Sequence, residues 1–345
     1  MKNWLDVCQV AAVYVGTVIG AGFATGREIV EFFTRFGFLG LLSILMAGFL
    51  FVILGSKIML LSIDIKATSF EQLNEYLFGK RLAKFINIFL LVMLVGVCGV
   101  MLAGAEALFV EQLNFPKFSG MLLTTFVGLV IMAAGIKGLL AINVIVVPMM
   151  IAFNIAILFH IVPGGDVTLW FQVEDAGNGW FAVLSAISYA GFNLGLAQAV
   201  LVPLAAEIND RQTVKWGGIM GGVFLTVLLI SSHICLSVLR DPSVFEIPMA
   251  VIVHESAGSL YLIYILIIYG EIFTTLIGNT YGIERQLHQY VPANPLWIIL
   301  FLFIVFCLIS LVKYGKLLGL LYPLFGYVSI GFLLLLLIKP AKVSP

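Results

Sequence analysis

The chain has 345 residues, 62% of them hydrophobic and 10% charged, with a formal net charge of zero and a mean hydropathy of +1.14. An ordinary soluble domain is about 45–50% apolar and about 25% charged, so a water-soluble enzyme with these proportions is excluded. A nucleic-acid binder is excluded by the missing basic stripe, and an outer-membrane barrel by the long continuous apolar runs. What remains is an all-α polytopic membrane protein, with apolar material for about ten helices at about 20 residues per span.

Span 1 is expected over about 5–35, interrupted near 19–22. Lys2 before an apolar stretch imitates a signal peptide, but the stretch runs on through glycines into Arg27 and Glu28, as a span does. Spans 2 to 5 follow at about 38–63, 83–113, 118–136 and 139–162. Between spans 2 and 3, residues 69–82 alternate apolar and charged positions at helical spacing, which suits an interfacial helix. A polar loop at 163–178 leads to span 6 at about 179–206, also expected to be interrupted. Spans 7 to 10 are placed at about 213–239, 258–290, 295–312 and 316–338, with 241–256 as a cap over one end. Counting Lys and Arg, twelve fall on the side of the termini and six opposite, so both termini are expected in the cytoplasm. The localisation expected is the inner, or plasma, membrane.

Two spacings suggest internal symmetry. Tyr14-x-Gly16-x-x-x-Gly20 in span 1 reappears as Tyr189-x-Gly191-x-x-x-Gly195 in span 6, and Pro148 in span 5 matches Pro323 in span 10, each at an offset of 175. Five spans per half is an odd number, so the second copy runs through the membrane upside down, an inverted repeat. The expected division is 1–162 for the first repeat, 163–178 for an external loop and 179–345 for the second repeat. The glycine pairs can serve close helix packing. They can also mark local unwinding, as Gly20-Ala21-Gly22 and the nearby Asn193 and Gln198 suggest. Freed amides there favour an anion and freed carbonyls a cation.

The five-plus-five arrangement, the broken spans 1 and 6, and the segment Gly20-Ala21-Gly22 resemble the amino acid–polyamine–organocation superfamily with the LeuT fold. The stretch GTVIGAGFATGREI resembles the YkvI-type group of bacterial membrane proteins. The resemblance implies an ion-coupled permease. The amides of Ala21 and Gly22, beside Gly20, would hold an amino-acid carboxylate, and Tyr189, Ala190, Phe192 and Asn193 would contact the substrate. It also implies a sodium ion between the carbonyls of Gly16 and Ile19 and the hydroxyls of Thr274 and Thr275, in a span-8 segment similar to one in branched-chain amino-acid carriers. Proton-coupled relatives often carry a lysine within span 5. Lys137 precedes that span here, which favours sodium.

Glu271 lies near the middle of span 8 and Glu106 toward the end of span 3. A carboxyl at membrane depth is a functional-site hypothesis by default. Glu271 is read as a cation ligand or proton carrier, with a neutral, hydrogen-bonded acid as the structural alternative. Glu106 is read as a partner of Arg27 or a snorkelling side chain, Glu28 and Glu31 as a solvated helix end, with lining of an outer vestibule as the alternative, and His233 as a satisfied interior group in preference to a proton relay. The four cysteines lie singly in apolar runs without C-x-x-C spacing, so neither disulfides nor zinc are expected. No cofactor is expected beyond a coupling Na+ or H+.

The leading expectation is a secondary transporter of a small solute, an amino acid, by alternating access, with the lipid bilayer and solute as its partners. A non-transporting sensor of the same fold, like germinant-receptor membrane subunits, and a proton-coupled permease are the alternatives. An enzyme is not expected, since no catalytic pairing or phosphate-binding motif occurs.

Overall fold

The computed structural model describes residues 4–161, 179–239, 241–242, 248–291, 294–311 and 329–338. The described residues form helices and no strand. The first three helices are α1 (Trp4–Val18), α2 (Ala21–Ala24) and α3 (Arg27–Phe32). Then α4 (Phe38–Leu50) runs through one π turn at Phe51–Gly55 into α5 (Ser56–Asp64). The chain continues with α6 (Phe70–Phe78), α7 (Lys80–Ala107), α8 (Ser119–Ala133) and α9 (Ile136–Ile161). After the first polar loop come α10 (Trp180–Ile208), α11 (Arg211–Leu236), α12 (Pro248–Ala257), α13 (Tyr261–Leu287), α14 (Pro295–Ser310) and α15 (Ser329–Ile338).

Six of these stretches are long and apolar enough to cross a bilayer: Phe38–Asp64, Lys80–Val110, Ile136–His160, Trp180–Ile208, Arg211–Leu236 and Tyr261–Leu287. They correspond to the spans expected second, third, fifth, sixth, seventh and eighth. Four shorter apolar helices, α1, α8, α14 and α15, stand at the other four places. The external loop 163–178 and residues 316–328 of span 10, Pro323 among them, lie outside the described residues.

Between lipid-facing helices, association depends on packing and on how closely backbones can approach. Helix α11 makes such an approach through the glycines of its KWGGIMGG segment. A Cβ at Gly218 would meet Ser56 and Met59, and one at Gly221 would meet the ring of Tyr14. A Cβ at Gly222 would stand 2.7 Å from the backbone of Val52. These glycines wedge α1 and the α4–α5 helix against α11. The Tyr14 hydroxyl, fully buried, then donates to the Phe51 carbonyl at 2.9 Å, where the π turn upsets the regular helical pairing.

Helix α6 ends at Gly79, whose φ of 77° takes the left-handed region that favours glycine. Lys80, Arg81 and Leu82 therefore open α7 instead of extending the interfacial helix. Phe70, Leu73 and Leu77 of α6 are buried, while Glu71 bonds Gln286 and Tyr290 at the end of α13. The expected cap at 241–256 is represented by α12, where the Met249 amide donates to the Thr25 carbonyl at 3.1 Å.

Two expectations need correction. The interruption expected in span 6 is absent: α10 is helical without a break from Trp180 to Ile208. Its polar residues bond the helix itself, Asn193 donating to the Tyr189 carbonyl at 3.0 Å and Gln198 to the Gly195 carbonyl at 2.9 Å. Its glycines serve packing: a Cβ at Gly191 would come within 3.0 Å of Leu333 on α15. That close contact offsets the helix penalty of about 1 kcal/mol per glycine. The second correction concerns Glu106, which is not a partner of Arg27. Its carboxylate accepts from the amides of Phe118 (2.5 Å) and Met121 (3.0 Å), capping the start of α8. Arg27 pairs with Glu31 at 3.0 Å.

Candidate functional site at the break of the first span

The first span is broken where the sequence placed the break. Helix α1 stops at Val18, and the Ile19 amide still reaches the Val15 carbonyl at 2.9 Å. The chain resumes as the single turn α2, and Gly26, with φ of 81°, turns it into α3. Glycines at 20, 22 and 26 make the interruption inexpensive. Ending a helix leaves the carbonyls of its last turn without partners inside the helix, and at this depth water cannot supply them.

One face of α13 supplies partners instead. Thr275 donates its hydroxyl hydrogen to the Ile19 carbonyl at 2.6 Å, and the Gly16 carbonyl lies 3.4 Å from the same oxygen. Eleven residues earlier on that face, the Tyr264 hydroxyl donates to the Ala24 carbonyl at 3.3 Å, on the far side of the break. Gly278 allows α13 to come against Thr17 and Val200. The stripe 264, 271, 275, 278 follows the i, i+7, i+11, i+14 pattern of one helical face, so the sequence of α13 aligns it with the break.

Of the residues expected to hold an ion, Gly16, Ile19 and Thr275 come together directly. Thr274 donates to the Glu271 backbone carbonyl at 3.1 Å, within its own helix. Glu271 is buried, and its Oε2 has no hydrogen-bond partner. The amide of Asn143 on α9 stands where a Cβ on Gly16 would go, and its Oδ1 is likewise buried and unpartnered. The atoms gathered here are oxygens, the ligand type that hard cations take.

Beside these groups lies a cavity of about 40 Å³, lined by Gly20, Glu28, Phe192, Asn193, Thr275 and Asn279 among others. By the allowance of about 10–15 Å³ per water, it has room for roughly three heavy atoms. Gly20, Phe192 and Asn193, all expected in the substrate site, line it. Tyr189 does not. Its ring packs among Phe32, Phe33 and Phe51, at 5.1, 4.9 and 6.0 Å between centroids. Ala190 is buried and away from the cavity. Gly22 lies against the Glu28 carboxyl, and Ala21 opens α2.

Sequence reasoning missed Glu28, Asn279 and the α7 residues Met93 and Met101 as part of this cavity. Asn279 had a usable signal, a polar amide one turn beyond Thr275 on the same α13 face. For Glu28 the only signal is its place just past the helix break, which allows a vestibule wall but reads first as a solvated end, yet it is 9% exposed. His233 is satisfied as expected, 3.2 Å from the Thr34 hydroxyl. At the opposite end of α10 and α13, Glu207 pairs with Arg285 and Asp64 with Arg211, joining four helices at their ends.

This architecture is that of known membrane transporters. The chain superposes on MhsT in complex with L-phenylalanine with a TM-score of 0.69 at 15% identity, covering 94% of this chain and 86% of that one. A substrate-bound, outward-open Na+-coupled sialic acid symporter gives 0.70 at 12% identity, covering 95% and 78%. The manganese transporter of Eremococcus coleocola gives 0.65 at 16% identity, covering 95% and 74%. At these identities the likeness concerns the fold. By sequence the chain belongs to the family of the membrane protein YkvI of Bacillus subtilis (strain 168), 45% identical over 338 residues, 96% of each chain. YyaD of the same organism is 24% identical over 327 residues, 94% of each. No family model matches the chain. It is a multi-pass membrane protein.

Proposed function

We propose that the protein is an ion-coupled secondary transporter of a small, amine-bearing solute, working by alternating access. On this reading the polypeptide makes ten spans in two inverted five-helix repeats, 1–162 and 179–345, joined by the loop 163–178, with both termini in the cytoplasm. It would be a LeuT-fold member of the amino acid–polyamine–organocation superfamily in the plasma membrane.

The observation that carries the reading is the Thr275 hydroxyl between the Ile19 and Gly16 carbonyls where α1 ends and the first span breaks. A hydroxyl that bridges two carbonyls through its hydrogen can turn its lone pairs inward when a cation replaces that hydrogen. Gly16, Ile19 and Thr275 would then hold sodium, with Thr274 rotating away from the Glu271 carbonyl and Glu271 contributing charge. This oxygen set suits Na+ better than a proton relay, which would need a chain of exchangeable groups from Glu271 to both surfaces. Amino acids are the first solutes to test, with a carboxylate on the amides of Ala21 and Gly22. A cavity with room for roughly three heavy atoms implies that substrate enters only after helices separate. The ties Glu207–Arg285 and Asp64–Arg211 are suited to hold one end shut meanwhile.

The test is uptake into proteoliposomes with sodium or choline outside, across pH. Concentrative uptake that needs sodium supports the reading. Saturable binding with no flux under any gradient would replace it with the sensor reading.

A further inference from the structure

Four basic side chains gather where the connection from α5 through α6 to α7 reaches one edge of the bundle. Lys66 follows α5, and Lys80, Arg81 and Lys84 open α7 past the bend at Gly79. All four are exposed, and among the described residues none of them pairs with a carboxylate. Arg211 and Arg285, at the same end, are already committed to Asp64 and Glu207. An open groove of about 500 Å³ lies between the three helices, lined by Lys66, Gln72, Glu75 and Lys80 among others. Lys66 is held at its rim with φ of 56°, a left-handed conformation that is costly for a residue with a Cβ.

The start of α7 also fixes what lies beside this cluster. Arg81, Phe85, Ile88 and Val92 follow the i, i+4, i+7, i+11 spacing of one helical face, and the three apolar members are 73%, 57% and 63% exposed. At 1.5 Å per residue this face runs about 16 Å from Arg81 to Val92, about half of a hydrocarbon core about 30 Å thick. The stripe therefore has the length of one leaflet, with Arg81 at headgroup level and Lys84 beside it. In a bilayer the stripe is covered by acyl chains, and the basic cluster meets the headgroup those chains carry. A zwitterionic headgroup would bring its own ammonium against four cations. A phosphodiester without one brings net negative charge and oxygens that Lys and Arg bond strongly, and basic clusters at a membrane edge attract such lipids.

We propose that this elbow is a binding site for an anionic phospholipid. Its phosphodiester is held by Lys66, Lys80, Arg81 and Lys84, and its acyl chains lie along Phe85, Ile88 and Val92. A headgroup in the groove joins the end of α5, the face of α6 and the start of α7. Helix α6 is bonded in turn to the C-terminal end of α13, through Glu71 with Gln286 and Tyr290 and through Gln289 donating to the Thr68 hydroxyl at 3.3 Å. The lipid thus braces the helix that faces the break of the first span. The site requires only that the chain lies in a bilayer, whether the protein transports or senses.

The test uses the purified full chain in nanodiscs of phosphatidylcholine, with and without phosphatidylglycerol. It reads the melting temperature, and the phosphatidylglycerol retained in native mass spectrometry after release into detergent. Phosphatidylglycerol should raise the melting temperature with saturable dependence, and the double variant Arg81→Gln, Lys84→Gln should weaken that dependence about tenfold or more. Lys66→Gly removes a third charge where the backbone already suits glycine, so the fold is kept and less lipid should be retained. Glu75→Gln removes a carboxylate that lines the groove and should retain more. Lys117→Gln, an exposed lysine past the other end of α7, should change nothing. If Lys117→Gln weakens the response as much as the elbow variants, net charge alone is at work and the site is overturned. A melting temperature indifferent to phosphatidylglycerol would overturn it as well. So would equal stabilisation by inorganic phosphate in phosphatidylcholine nanodiscs, which would make the groove a site for a soluble anion.

Discussion

Replacing Thr275 with valine keeps the side chain's volume and removes only the hydroxyl. In the structure that hydroxyl is the partner of the Ile19 carbonyl at 2.6 Å, and Ile19 is 1% exposed. A buried acceptor left unsatisfied destabilises by about 1–3 kcal/mol. The fold should therefore lose about that amount, measured as a lowered melting temperature in detergent without sodium. If the oxygen also ligates sodium, its loss removes about 1–3 kcal/mol of coupling, which is about 5- to 150-fold in the sodium concentration needed for half-maximal uptake. The two effects are separable, because sodium should raise the melting temperature of the wild type and fail to do so in Thr275→Val. A variant that melts like the wild type and keeps the same sodium dependence would refute both the bridging bond and the ion site.

Gly221→Val forces a side chain into the ring of Tyr14, and overpacking of this kind should cost about 1–3 kcal/mol and loosen α1 from α11, seen as a lower detergent melting temperature. Tyr14→Phe deletes the buried bond to the Phe51 carbonyl and should cost about 1 kcal/mol in the same assay. Asp210, in the connection before α11, accepts from the Thr213 hydroxyl and from the Thr213 and Gln212 amides. Those bonds, the Thr213 hydroxyl first, hold its carboxyl below the usual aspartate range. Its depressed value means that the stabilisation is present above the ordinary aspartate pKa of about 3.9 and is lost as pH falls through the lower folded value. Asp210→Ala should accordingly melt lower than the wild type near neutral pH, and the gap should close in acid. A gap that persists unchanged in acid would show that the capping charge is not its source.

Much of the scaffold was legible because the physics behind it is local. Continuous apolar runs mark the spans, and glycines at 20, 22 and 26 mark a helix that cannot continue, so the break in the first span was readable residue by residue. The same reasoning misled at span 6. Gly191, Asn193 and Gly195 form a similar cluster, yet Asn193 and Gln198 bond their own helix and Gly191 makes room for Leu333. A glycine that permits unwinding and one that permits close packing have the same spacing. Only the neighbour that fills the space distinguishes them.

Placement of polar groups across the fold divides along the same line. Composition alone determined that this chain belongs in lipid as a bundle of helices, and helical periodicity aligned Thr275 and Asn279 on one face of α13. Tertiary structure decided what that face meets: the carbonyls of Gly16 and Ile19 and the cavity holding Glu28, from a segment more than 240 residues away in sequence. It also removed Tyr189 to an aromatic cluster and gave Glu106 to the start of α8. Sequence records which groups need partners once water is excluded; the packing of distant helices determines which partners they find.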